Sequence, residues 1–197
     1  MPNAAMKETN KTPVADNPTA DALVADCRAA LAAYATDHPV QGALRDRFIA
    51  YLTDRGDGWS RTCPGAHLTA SAIIVSPDAD QVLLVQHRKL GRWLQTGGHI
   101  ESSDPTLAGA ALREATEESG AAGLQILPGV LHLDRHEVPC GPQRPTYHLD
   151  VRYLIVADPT LSLRPGGEVS RWFPAAALPT DETSVTVLVE LARQWLN

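Results

Sequence analysis

Glu114, Glu117 and Glu118 stand three and four residues apart in the segment Arg113-Glu114-Ala115-Thr116-Glu117-Glu118-Ser119-Gly120. Successive residues of an α-helix turn by about 100°, so the three carboxylates share one arc of a helical face. Nothing basic lies on that arc. Crowded carboxylates repel one another, and a hard divalent cation held by oxygen ligands is the usual relief. The ordinary alternative is a solvated acidic face. The surroundings argue against it. Asp104 stands where an N-cap belongs and Pro105 where a first helical residue belongs. Leu107, Ala108, Ala111, Leu112 and Ala115 form an apolar stripe of mostly small side chains, suited to lying close on a sheet. Gly120 supplies the stop. The spacing therefore predicts a helix over 105–119, buried on one side and acidic on the other. Gly97-Gly98 precedes it as a turn able to aim backbone carbonyls at the acidic arc.

The segment resembles the Nudix box, Gly-x5-Glu-x7-Arg-Glu-U-x-Glu-Glu-x-Gly-U, where U is aliphatic. Gly98 matches the first glycine, and Arg113, Glu114, Ala115, Glu117, Glu118, Gly120 and Ala121 match the second half in register. Asp104 stands in place of the loop glutamate, and eight residues rather than seven separate it from Arg113. The flanks Trp93-Leu94-Gln95-Thr96 and Arg171-Trp172-Phe173-Pro174 extend the similarity from about residue 66 to the C-terminus, with Thr96 in place of a frequent proline.

The resemblance implies an α/β/α sandwich around a mixed sheet. It also implies an enzyme that hydrolyses a nucleoside diphosphate linked to another group, using Mg²⁺ or Mn²⁺. Glu114, Glu117, Glu118 and the Gly97 carbonyl would hold the metal. Arg113 would orient Glu114, with Glu101 bracing Arg113 and Asp104 serving only as a cap. The proton of the attacking water would pass to a box glutamate or to a carboxylate outside the box, for which Glu168 is the candidate. Substrate contacts are expected from Trp93, with Tyr147 nearby, and from His148 and Asp150, which alternate on a strand and so share a face. His67, His99 and His148 are candidate ligands, although a lone histidine is more often a structural hydrogen bonder.

Composition bounds the function further. The 197 residues are 44% hydrophobic and 20% charged, with a net charge of −6 and no basic run, which argues against a nucleic-acid polymer as partner. No apolar run reaches the length of a membrane span, and Met1–Asn17 lacks the apolar stretch of a signal peptide. Three widely spaced cysteines, Cys27, Cys63 and Cys140, read as reduced thiols of a cytoplasmic protein. A homodimer stays open.

Along the chain, residues 1–19 have the composition of a disordered tail, 20–61 read as a helical extension interrupted at Pro39, and 62–197 as the catalytic domain. Strands are predicted over 67–75, 81–86, 124–133, 147–156 and 169–173, with a hairpin turn at 77–80, a Pro/Gly-rich loop at 137–145 and a closing helix over 183–196. Two other functions compete. An isomerase of the isopentenyl diphosphate type would use Cys63 with His67. A ligand sensor without catalysis would be expected to lose box carboxylates, and all three are retained.

Overall fold

The computed structural model describes residues 18–139, 145–164 and 169–197. Cys140 and Glu168, the proposed outside base, lie outside them. Two helices come first, α1 (Pro18–Ala33) and α2 (Pro39–Asp54). They are followed by β1 (Ala66–Val75), β2 (Gln81–His87), β3 (Arg92–Leu94), β4 (Thr96–His99) and α3 (Leu107–Ser119). The chain closes with β5 (Gln125–Ile126), β6 (His132–Val138), β7 (Thr146–Val156), β8 (Val169–Pro174) and α4 (Thr183–Leu196).

The strands form one mixed sheet. Its central pair, β1 and β7, is parallel from Ala66↔Tyr147 to Val75↔Val156. The remaining pairings are antiparallel: β2 and β4 on β1, β3 and β8 on β2, and β5 and β6 on β7. One face of β1 and β7 is apolar along its length, and the other is apolar only over the second half of each strand, where α4 covers it.

Helices lie on both faces. On one, Leu68, Ala70, Ala72 and Ile74 of β1 and Leu149, Val151 and Tyr153 of β7 pack with α3 and with Leu23, Cys27, Leu31, Phe48 and Leu52 of the N-terminal helices. Burying a side chain such as Leu or Phe contributes roughly 1.5–3 kcal/mol before entropy is counted, so this hairpin is a major part of the core. On the other face, Ile73, Val75, Val82, Leu84 and Leu154 meet Val185, Leu188, Val189 and Ala192 of α4. Gln41 of α2 closes one edge of the sheet. Its Oε1 accepts from the Leu133 amide at 2.8 Å and its Nε2 donates to the Leu133 carbonyl at 3.0 Å, in the manner of a neighbouring strand.

Three sequence expectations change. The stretch 124–133 is two strands, β5 and β6, separated at Pro128-Gly129, and β6 runs on to Val138. β3 and β4 are strands that the sequence pattern did not mark. The box helix begins at Leu107 with Thr106 as N-cap, whose hydroxyl accepts from the Gly109 amide at 2.9 Å. No described helix is long and apolar enough to cross a membrane.

Candidate active site

α3 lies against β4, so the acidic arc faces the Gly97-Gly98 strand. At Gly97 the absence of a side chain is a packing requirement, since a Cβ would stand 2.8 Å from the Ser71 Cα, and at Gly98 a Cβ would stand 2.6 Å from the Glu114 carboxyl carbon and displace that carboxylate. The Gly97 amide donates to Glu118 Oε2 at 3.0 Å. Gly120 ends the helix at φ 69°, in the left-handed region where glycine carries no steric penalty.

Arg113 does supply a counter-charge to the arc, contrary to the sequence reading. Its Nη1 donates to Glu114 Oε1 at 2.9 Å and Glu117 Oε2 at 3.3 Å. Nε and Nη2 grip the two oxygens of Asp104 at 2.8 and 3.0 Å, and Nη2 also donates to the His99 carbonyl at 2.9 Å. All five guanidinium donors are therefore used. Asp104 is thus not the cap, which is Thr106: it is the bidentate partner of Arg113, and its Oδ2 also accepts the Glu101 amide at 2.8 Å. Glu101 contributes that amide, and no bond from its carboxylate to Arg113 is found among the described residues.

Electrostatics follow the contacts. Burial would raise the Asp104 pKa, but the Arg113 fork and the Glu101 amide outweigh it and hold the carboxyl below its usual range. Glu114 goes the other way. Burial raises its pKa, and Arg113 only partly offsets this. Glu117 is the open member of the arc, with its side chain 59% exposed. The Arg113 guanidinium meets three carboxylates, Asp104, Glu114 and Glu117, so this group carries negative charge in excess.

Beside the arc is a cleft of about 360 Å³, bordered by Gly97, Gly98 and Glu118 from the box and by Thr69, Ser71, His148 and Asp150 from β1 and β7. His148 and Asp150 do share a face. Their chemistry differs. Asp150 is buried and accepts from Thr69 Oγ1 at 2.9 Å, Ser71 Oγ at 2.7 Å and Arg152 Nε at 2.8 Å. Arg152 passes on to Asp134 at 2.9 Å. Burial would raise the Asp150 pKa, and the Arg152 charge and these hydrogen bonds reverse it. Asp150 is thus the hub of the cleft floor, with its oxygens engaged by the protein. The alternation of Thr69 and Ser71 on β1 was readable in the sequence, but the partner carboxylate 79 and 81 residues away was not.

His67, His99 and His148 come together beside this floor, His67 being 1% exposed. Burial is the main cause of lowered pKa in all three, with His67 brought to about 4 and His148 to about 3, so they are neutral at pH 7. The two aromatics expected at the cleft lie elsewhere. Trp93 is on the opposite side of β3 from Leu94, which borders the cleft, and packs edge-on against Phe173 with centroids 4.8 Å apart. Tyr147 alternates with His148 and receives the Arg135 guanidinium on its ring at 3.5 Å.

Known proteins are similar to this chain. The family model for the NUDIX domain matches residues 65–191, more than half of the chain. Among solved structures, the NUDIX domain of Shewanella oneidensis NrtR, complexed with ADP ribose, is 22% identical with a TM-score of 0.50, over 75% of this chain and 98% of that one. A NUDIX-family hydrolase from Clostridium perfringens is 24% identical with a TM-score of 0.47, over 66% of this chain and 97% of that one. A C. elegans Ap4A hydrolase is 18% identical with a TM-score of 0.47, over 66% and 96%. The family match spans both the glycine strand and the acidic helix that meets it, and the chain belongs to the Nudix family of hydrolases.

Proposed function

We propose that the chain uses a divalent cation and water to cleave the diphosphate of a nucleoside diphosphate linked to a second group. The observation that carries this reading is the acidic arc of α3 pressed on Gly97-Gly98, with Arg113 fully occupied and negative charge left over. An all-oxygen donor set of that kind fits a hard cation such as Mg²⁺ or Mn²⁺ and suits softer metals less. Glu114, Glu117 and Glu118 would hold it, with the Gly97 carbonyl as a backbone ligand. Bound there, the cation would neutralise phosphate oxygens and lower the pKa of water. Arg113 orients Glu114 and Glu117 rather than touching substrate. Glu117, as the exposed carboxylate, would take the proton from water, and Glu168 is the alternative acceptor. The cleft beside Glu118 receives the substrate, with His148 on its wall.

The test is a panel of nucleoside diphosphate derivatives with Mg²⁺ or Mn²⁺, read as released nucleoside monophosphate. Turnover should vanish in excess EDTA. Glu117→Gln should lower kcat by about 10³ or more at an unchanged Tm, the scale expected when transition-state charge stabilisation is removed. Full turnover in EDTA would sink the proposal.

A further inference from the structure

β1, β4 and β7 each contribute one histidine to a compact cluster that the glutamate chemistry does not use. The His67 and His99 ring centroids are 5.1 Å apart, His67 and His148 4.9 Å, and His99 and His148 5.2 Å. The register explains the meeting. His67 pairs with His148 across the parallel strands, while His99 pairs with Thr69, two residues along β1. One ring nitrogen from each lies within 4.8 Å of the others. His67 is 1% exposed, and neither of its ring nitrogens completes a hydrogen bond among the described residues. The Cys63 backbone comes near enough to favour its protonated form slightly, without hydrogen-bonding geometry.

A buried imidazole normally has at least one polar partner, so an orphan aimed into a cluster of its own kind asks for an explanation. Neutral rings can pair N–H to lone pair along a chain, but a chain of three still leaves a donor at one end and an acceptor at the other, and here neither His67 nitrogen makes such a pair. A cation with lone-pair acceptor sites can satisfy all three at once.

We propose that His67, His99 and His148 bind one divalent transition-metal ion of borderline softness, with Zn²⁺ as the type case. The donor set decides the class: imidazole suits Zn²⁺, Co²⁺ or Fe²⁺, whereas Mg²⁺ and Ca²⁺ prefer oxygen. Neutral rings offer their lone pairs without first releasing a proton. A tetrahedral Zn²⁺ with bonds of about 2.0–2.1 Å sets its nitrogens roughly 3.4 Å apart, so side-chain movements of about 1 Å close the site. Three protein ligands leave a fourth position for water or substrate, the arrangement of catalytic rather than structural zinc. That position opens at His148, which borders the cleft together with His136. His99 belongs to the same short strand as Gly97, and its carbonyl receives Arg113. The two metal sites are therefore separate in donor chemistry but mechanically joined through β4.

The experiment uses the full chain stripped of metal, titrated with Zn²⁺ in equilibrium dialysis and with Co²⁺ as a spectroscopic probe. Wild type and Glu117→Gln are expected to take up one tightly held Zn²⁺ per chain, and Co²⁺ should show the intense visible bands of tetrahedral coordination. His99→Gln and His148→Gln should each weaken Zn²⁺ binding by at least about 100-fold, at or beyond the upper end of the loss for an outer-shell partner. Because a variant can fail through misfolding, X-ray absorption on the Zn²⁺-loaded wild type supplies a reading that needs none, and should show imidazole nitrogen scattering. The proposal is overturned if wild type binds no Zn²⁺, if the X-ray spectrum shows oxygen ligands only, or if Glu117→Gln abolishes binding while both histidine variants retain it. The last result would put Zn²⁺ among the carboxylates and leave the histidine cluster to an ordered water.

Discussion

Arg113 shows how one side chain organises a site without touching substrate. Its fork grips Asp104, the residue at which the sequence departs from the family pattern in both type and spacing. That contact was not legible locally, because Asp104 also satisfies the sequence rule for an N-cap and nothing at short range chooses between the two roles. Cys63 is the opposite case, a residue whose chemistry is suppressed by its setting. It is 2% exposed, its Sγ lies 3.2 Å from Tyr51 Oη, and burial pushes its thiol further from ionisation. A protonated thiol is a poor nucleophile. Cys63→Ala should therefore leave turnover within about threefold, with the loss of one small buried side chain costing at most a few kcal/mol of stability. Glu118→Gln, which removes a carboxylate charge beside the Gly97 amide, should abolish most of the turnover. Both variants are to be assayed on the diphosphate found by the substrate screen and on isopentenyl diphosphate. Loss in Cys63→Ala with retention in Glu118→Gln would favour the isomerase chemistry instead.

At the scale of elements, the box helix is framed from both ends and from outside its own segment. Its stop at Gly120 and its acidic arc were legible, because both depend on residue type at short spacing. Its start was not. The Leu107 amide donates to Asp26 Oδ2 of α1 at 2.7 Å, a cap reaching across 81 residues that no local pattern announces. The same limit applies to the strands. β1, β2 and β7 were legible as strands, but β4 is Thr96-Gly97-Gly98-His99, a poor strand former that exists because β1 offers it a partner. Asp26→Ala removes a cap bond that also ties the N-terminal hairpin to α3. It should cost about 1 kcal/mol, the usual worth of a helix cap. For a chain of this size that is a fall in Tm of roughly 2–4 °C. Thermal melts of wild type, Asp26→Ala and Asp26→Asn decide it. An unchanged midpoint in the alanine variant would mean that Thr106 alone caps the helix.

Across the whole molecule, one face of the sheet is divided between core and cleft within single strands. β1 runs His67, Thr69, Ser71 and then Ile73, Val75, while β7 runs His148, Asp150, Arg152 and then Leu154, Val156. The apolar halves lie under α4, and the polar halves, left uncovered by it, form the cleft floor and the histidine cluster. Such a layout holds imidazoles neutral in a partly dry setting, and this has a consequence for acid stability. Burial lowers the pKa of His67 to about 4, His132 to about 4 and His148 to about 3. Unfolded histidine titrates near about 6.5. Between those values the unfolded chain binds more protons than the folded one, so stability is fully present above about pH 6.5 and is lost as the pH falls toward 4. Each such proton is worth at most about 1.4 kcal/mol per pH unit, less for His132 and His148, which keep some contact with solvent. Asp104 and Asp150, whose pKa values are also lowered, begin to lose their contribution only below the ordinary carboxylate range near about 4. The metal-free protein should therefore lose Tm steadily from pH 6.5 to 4.5, ahead of the Asp104 and Asp150 transitions, with Glu114, whose pKa burial raises, working against the loss as it takes up its proton. His132→Gln should flatten part of that slope while leaving the low-pH limb in place. A melting temperature constant over that interval would show that these rings titrate alike in the folded and unfolded chains, and that the polar half of the sheet is wetter than its packing indicates.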